Sequence, residues 1–147
     1  MKKNPTIILT AFFCLLTLNV ISSEPDIWQI YFENNTVKIE YTYENCDFSS
    51  TAKQEVIIFR ISNLSNKEII LNYETQIWHN EKKIDTSKNL DEFLKTVKLK
   101  ENEIIITNCE NQWKEHTIFS GFVDNETNEK YISLTKFELT NINTENE

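Results

Sequence analysis

The chain has 147 residues, a formal net charge of −8, a single glycine and three cysteines. That length accommodates one domain. The acidic balance, with one arginine (Arg60) and no basic cluster, argues against nucleic-acid binding, which is driven by Lys and Arg displacing counterions from phosphates.

Residues 1–23 read as a signal peptide. Lys2 and Lys3 form a short basic start, Ile7 to Leu18 is apolar apart from Thr10 and Thr17, and Val20 and Ser22 occupy the two selective positions before a cleavage point near Ser23 or Glu24. The run is short of the ~20 apolar residues that a spanning helix needs. Phe13 is bulky where a lipidated cysteine wants a small predecessor, so Cys14 does not read as a lipid anchor. The expectation is an exported mature protein, periplasmic or secreted, with no membrane span after cleavage. It would consist of one domain over 24–142 and a flexible tail over 143–147.

Periodicity along the mature chain is mostly two, which predicts strands. Trp28, Ile30 and Phe32 alternate with polar neighbours up to a turn at Asn34-Asn35. Val37, Ile39, Tyr41 and Tyr43 then alternate with Lys38, Glu40 and Thr42, the pattern of a strand with one dry face. Glu55 to Ser62 is apolar on both faces and reads as a central strand. Asn63 to Lys67 breaks it, and Glu68 to Trp78 alternates again until Asn80-Glu81.

The segment 89–98 fits two templates. Leu90, Phe93, Leu94 and Val97 have helical spacing behind a capping Asn89, while Phe93, Lys95, Val97 and Leu99 alternate. The surrounding strands favour β, or a short helical turn leading into a strand. Lys100 to Glu103 reads as a turn into Ile104-Ile105-Ile106. His116 to Val123 and Tyr131 to Thr140 read as the last strands, joined by a turn over Asp124 to Glu129. Gly121 is the only glycine, and Asn stands at nearly every break, as the best other residue for positive φ. The sequons at Asn34, Asn63 and Asn125 therefore read as by-products of Asn richness.

Strands of this length, with turn signals about every 8 to 12 residues, predict an all-β protein: an immunoglobulin-like antiparallel β-sandwich of about seven to nine strands with at most one short helix near 89–96. Of the three cysteines, Cys14 leaves with the signal peptide. Cys46 and Cys109 remain, and an even pair in an oxidising compartment predicts a disulfide. Two cysteines without a neighbouring histidine make a poor zinc site.

Catalytic constellations are thin. The only histidines are His79 and His116, and a single glycine leaves no room for a nucleophile elbow or a phosphate loop. The stretch Asp124 to Glu129 is oxygen-rich but lacks the spacing and glycine of a calcium loop. No enzyme activity, metal or cofactor is expected. The aromatics are the more suggestive feature. Trp78 falls on the face of its strand opposite Ile77, and Trp113 sits in the polar loop Glu110 to His116. Trp78, His79, Trp113 and His116 form the candidate binding surface, for a protein partner in the envelope or secreted fraction. A carbohydrate ligand stacking on the tryptophans, or a secreted hydrolase inhibited by the loops, is the alternative.

The segments EYTYENC (40–46), ISNLSNKEI (61–69), IWHN (77–80), Asn108-Cys109 and LTKFELTNI (134–142) together resemble a set of small exported proteins of Bacteroidetes-type bacteria. Those carry a YxYxxC segment, an S-N-x-(S/T)-N-K turn, a tryptophan before an aromatic-Asn turn, and a closing LTKFEL-N-I strand. The resemblance covers most of residues 36–142. It implies a β-sandwich and a strand over 92–99, and it implies no activity. The chain departs from the pattern at His79, where the set has an aromatic residue. It also lacks further cysteines after that turn, which puts a metal or second disulfide there in doubt.

Overall fold

A computed structural model describes residues 28–46, 52–85, 90–110, 114–124, 126–127 and 129–146. The signal-peptide reading, Trp113 and the sequon at Asn125 lie outside the described residues. Among them, no helix is long and apolar enough to cross a membrane.

Among the described residues the fold is all-β, with nine strands in two antiparallel sheets. The first sheet holds β1 (Gln29–Glu33), β2 (Val37–Cys46), β3 (Ala52–Asn63), β7 (Ile104–Ile106) and β8 (Ile118–Asp124). The second holds β4 (Ile69–His79), β5 (Lys82–Lys83), β6 (Leu94–Leu99) and β9 (Leu134–Asn146). One helical turn, α1 (Leu90–Phe93), leads directly into β6. The two templates read in segment 89–98 are thus both used, one after the other. Consecutive strands β1, β2 and β3 stay in one sheet, so the strand order differs from that of immunoglobulin domains while the two-layer packing is shared.

The core forms where the alternating faces meet. Val37 and Ile39 of β2, Ile57, Phe59 and Ile61 of β3, and Ile69 and Leu71 of β4 are essentially inaccessible, as are Val97 and Leu99 of β6. Each such side chain contributes about 1.5 to 3 kcal/mol of transfer free energy. Strand β3 is apolar on both faces because both are covered. Its outward Val56 and Ile58 pack with Cys46 beneath Trp28 and Cys109. On the same outer face, Arg60 Nε and a terminal nitrogen bind the two Glu40 oxygens at 2.7 and 2.8 Å, and the guanidinium lies 4.7 Å from the Trp28 ring centre. The only arginine of the chain is thus held within the sheet surface.

Asparagine supplies positive φ at only some of the described breaks, Asn80 and Asn102; the breaks at Asn34-Asn35, Asn63 and Asn66 do without it, and Asn141 lies within β9. Positive φ occurs at Asn80 (47°), Glu81 (66°), Asn102 (54°) and Asn141 (54°). Two successive positive values at Asn80-Glu81 make a two-residue hairpin, which creates the short strand β5 that periodicity did not predict. Asn63 works differently. It is buried, and its amide donates to the carbonyls of Lys67 and Lys100 at 2.7 and 2.8 Å, which withdraws that sequon from the surface. Gly121 is required by a close approach, since a Cβ there would lie 2.1 Å from the Ile132 carbonyl oxygen.

The expected tail over 143–147 is corrected in part. Residues 143–146 continue β9, with Asn143 opposite Asn72 and Asn146 opposite Ile69. Their polar side chains look like a tail in the sequence, but backbone pairing does not depend on side-chain polarity.

Candidate functional site: a cleft between two interrupted strands

Each sheet has one long strand with a continuous partner on one edge and a broken partner on the other. Strand β2 pairs with β3 from Gln54 to Asn63. The other edge of β3 is shared by β7, opposite Arg60 to Ser62, and β8, opposite Ala52 to Ile57. Both run antiparallel to β3, so they are two halves of one strand. Thr107 ends the first half: its N–H donates to the Phe59 carbonyl at 2.9 Å, and its Oγ1 accepts the Phe59 N–H at 2.8 Å. The chain then leaves the ladder at Asn108 and returns through a single 3-10 turn, Lys114–His116.

The second sheet repeats the device. Strand β9 follows β4 from Ile69 to His79, and the opposite edge is shared by β6 (Ile69 to Glu74) and β5 (Trp78 and His79). The Ile84 N–H bonds the Ile77 carbonyl at 2.9 Å, and the chain departs before re-entering through α1. Thr75 and Ile77 of β4 lie at this gap.

The two interruptions share one cleft of about 240 Å³. Its walls include Val56, Ile77, Phe93, Ile118 and Phe119, with Thr75, Thr117 and Gln54 among the polar groups. Glu92 and Lys95 come from one break, and Glu115 and His116 from the other. His116 Nδ1 is in hydrogen-bond contact with the Tyr73 hydroxyl at 3.1 Å, joining the two sheets. Burial pushes the Tyr73 hydroxyl above its ordinary pKa. Burial, with the Lys95 charge beside it, lowers the His116 pKa, against the opposing pull of Glu115. The Lys95 pKa is also lowered by burial, while Glu115 and Glu92 oppose the shift. The cleft therefore favours a neutral imidazole at pH 7 and presents two carboxylates against one ammonium.

Cys46 at the end of β2 and Cys109 form the predicted disulfide, with Cα atoms 6.1 Å apart and a sequence separation of 63. The bond fixes the point where the first excursion begins, and Cys109 lines the cleft. The Glu44, Cys46 and Cys109 donor atoms all lie within 4.8 Å of one another. With the two sulfurs bonded to each other, that group is a disulfide beside a carboxylate.

The sequence-predicted residues separate into two places. His79 Nε2 donates to the Phe119 carbonyl at 3.1 Å, and its ring packs edge-on against Phe119. His79 and His116 thus stand at the same side of the sandwich, one in each inter-sheet contact. Trp78 points the other way, onto the outer face of the second sheet. There it lies between its cross-strand neighbours, Lys136 and Lys83, whose ammonium groups are 4.6 and 5.2 Å from the ring centre. The oxygen-rich turn after β8 is closed on itself: Asp124 carboxylate oxygens accept the N–H groups of Glu126 and Thr127 and the Tyr131 hydroxyl. Sequence reasoning missed Tyr73, Glu92, Phe93, Lys95 and Glu115. The one signal that could have found some of them is the segment 89–98, whose double periodicity marks a strand entered late. No family model, curated protein or solved structure matches the chain.

Proposed function

We propose that the protein is an exported, non-enzymatic binding module that contacts a protein partner in the cell envelope or outside the cell. The contact is made through the side of the sandwich where both sheets interrupt a strand. The observation that carries this reading is the coincidence of the two interruptions on one cleft, with one excursion held by a disulfide. Irregular segments on a rigid sandwich are where such folds place their recognition surfaces. The disulfide and the signal-like start support export. Each histidine holds an inter-sheet contact, which fits a structural use better than a catalytic one. The carbohydrate alternative draws on Trp78, but two lysine ammoniums already flank its ring, and a stacked sugar would have to displace them.

The test is affinity capture from envelope and secreted fractions with three forms: wild type, Glu92→Lys/Glu115→Lys at the cleft, and Trp78→Ala on the outer face. The reading expects one stoichiometric protein held by the wild type and by Trp78→Ala, and lost by the cleft variant. Retention by the cleft variant with loss in Trp78→Ala would refute it, and Trp78-dependent retention of a glycan would replace it with the carbohydrate reading.

A further inference from the structure

We infer that Glu44, Cys46 and Cys109 form a binding site for one zinc-class divalent ion when the disulfide is reduced. The oxidised pair is a staple; the reduced pair offers two thiolates beside a carboxylate. This goes beyond the proposed function and does not depend on the partner contact. Glu44 and Cys46 are two residues apart on β2, so their side chains leave the same face of the sheet. The β2–β3 ladder fixes both, opposite Val56 and Gln54. A Glu44 carboxylate oxygen lies within 4.8 Å of both sulfurs. Cys109 is held there by backbone as well as by the S–S bond. Two residues before it, the buried Thr107 is tied to Phe59 through its N–H and its Oγ1. Val56 and Ile58 pack on Cys46, with Trp28 and Cys109 against the same cluster. The sulfurs therefore stay neighbours, on a dry floor, after the bond between them opens.

Opening the pair takes a dithiol reductant. Its thiolate attacks the Cys109 sulfur, the more accessible of the two, and Cys46 leaves as a thiolate. The second thiol of the reductant then displaces Cys109 and closes the reductant's own disulfide, so the electrons pass from reductant to pair. The ion binds both sulfurs as thiolates, and their protons go to solvent. A tetrahedral ion with sulfur ligands at about 2.3 Å holds those sulfurs about 3.8 Å apart, with a carboxylate oxygen at similar spacing. That arrangement fits within the 4.8 Å that already spans the three donors, so side-chain rotation suffices to build it. Water completes the fourth position. The set is hidden in the sequence because its cysteines are 63 positions apart and its third donor is a carboxylate placed by strand alternation.

The test uses the full chain with Cys14→Ser, so that Cys46 and Cys109 are its only cysteines. The protein is reduced with a phosphine and titrated with cobalt(II), whose visible bands report tetrahedral ligation and whose ultraviolet charge-transfer bands report thiolate. The reduced protein should take up one ion per chain with a tetrahedral spectrum, zinc should displace it, and the oxidised protein should give no such spectrum. Glu44→Gln keeps both thiols and should weaken binding by at least about tenfold. The same chain unfolded in urea should also bind more than about tenfold more weakly, because a long loop must then close around the ion. Zinc should raise the urea midpoint of the reduced protein and leave that of the oxidised protein unchanged. Three results each overturn the inference: no tetrahedral spectrum in the reduced protein, whether it stays folded or not; affinity indifferent to Glu44→Gln; or equal affinity in the unfolded chain.

Discussion

The two long sides of the sandwich solve the same problem in opposite ways. On one side, the edges are β1 and β9. Tyr31 is the extra residue of a bulge between Ile30 and Phe32, and the bulge turns its side chain inward across the gap between sheets. Its hydroxyl accepts the Leu139 N–H at 2.7 Å and donates to the Leu139 carbonyl at 3.4 Å, while its ring stacks on Phe137 at 5.3 Å. Leu139 is paired with Thr75 of β4, so the tyrosine reaches a backbone already within the β4–β9 ladder. One tyrosine thus caps an edge that would otherwise invite another strand. On the opposite side, both edge strands are broken, and closure depends on a disulfide, Thr107 and two histidines. Regular pairing and a usable cleft are alternatives at an edge, and this molecule has one of each.

The contrast can be broken most strongly at the disulfide. Replacing both partners in Cys46→Ala/Cys109→Ala should cost about 4 kcal/mol in thermal or urea unfolding. The loss should be local as well as global: amide exchange in β8 should accelerate more than in β9. Equal acceleration on both sides would mean the staple acts on the whole sandwich. Next in size is Gly121→Ala, which pushes a methyl into the Ile132 carbonyl and should destabilise by about 3 kcal/mol. A loss below about 1 kcal/mol would show that the chain leading to β9 shifts freely.

Acid should act through a third place, the outer face of the first sheet. The Arg60 bidentate contact, helped by Lys38, holds the buried Glu40 carboxyl at a pKa of about 2, from 4.5. Because the folded value is the lower one, the stabilisation is present above pH 4.5 and is lost as pH falls toward 2. It amounts to no more than about 3 kcal/mol. Urea unfolding of wild type and Glu40→Gln across that window should show a slope in the first that is reduced in the second. A smaller effect is expected of Tyr31→Phe, about 1 to 2 kcal/mol, with faster exchange of the Leu139 amide as its signature. Unchanged protection at Leu139 would assign edge closure to the aromatic stack alone. Trp78→Ala should be the mildest, at about 1 kcal/mol, since its lysine contacts are on a partly exposed face.

How much of this was legible in the sequence follows from what each part depends on. Strands β2, β3 and β4 are written in local alternation, and the doubled apolar pattern of Val56 to Phe59 reported a strand covered on both faces. The disulfide was legible from the cysteine count together with the expected compartment. The cleft was not, because it arises from where two strands stop pairing, and that is a property of register between segments tens of residues apart. Lys95 and Glu115 look like ordinary surface charges until α1 and the 3-10 turn bring them together. Tyr31 is similar: in the sequence it sits on the polar phase of its strand, and only the bulge sends it inward. His79 and His116 were singled out for their rarity, and their contacts with Phe119 and with Tyr73 have no local signal at all.

The contact between Tyr31 and Leu139 spans 108 residues. It ties the first described strand to the last, and β9 is also the full-length partner of β4. A chain emerging from its N-terminus cannot complete the second sheet, or lock the first side, until β9 is available. Such long-range pairing slows folding, because loop closure must precede the contacts that reward it. Synthesis of the earlier strands alone therefore does not commit the chain to its native form: the second sheet stays open until β9 has emerged.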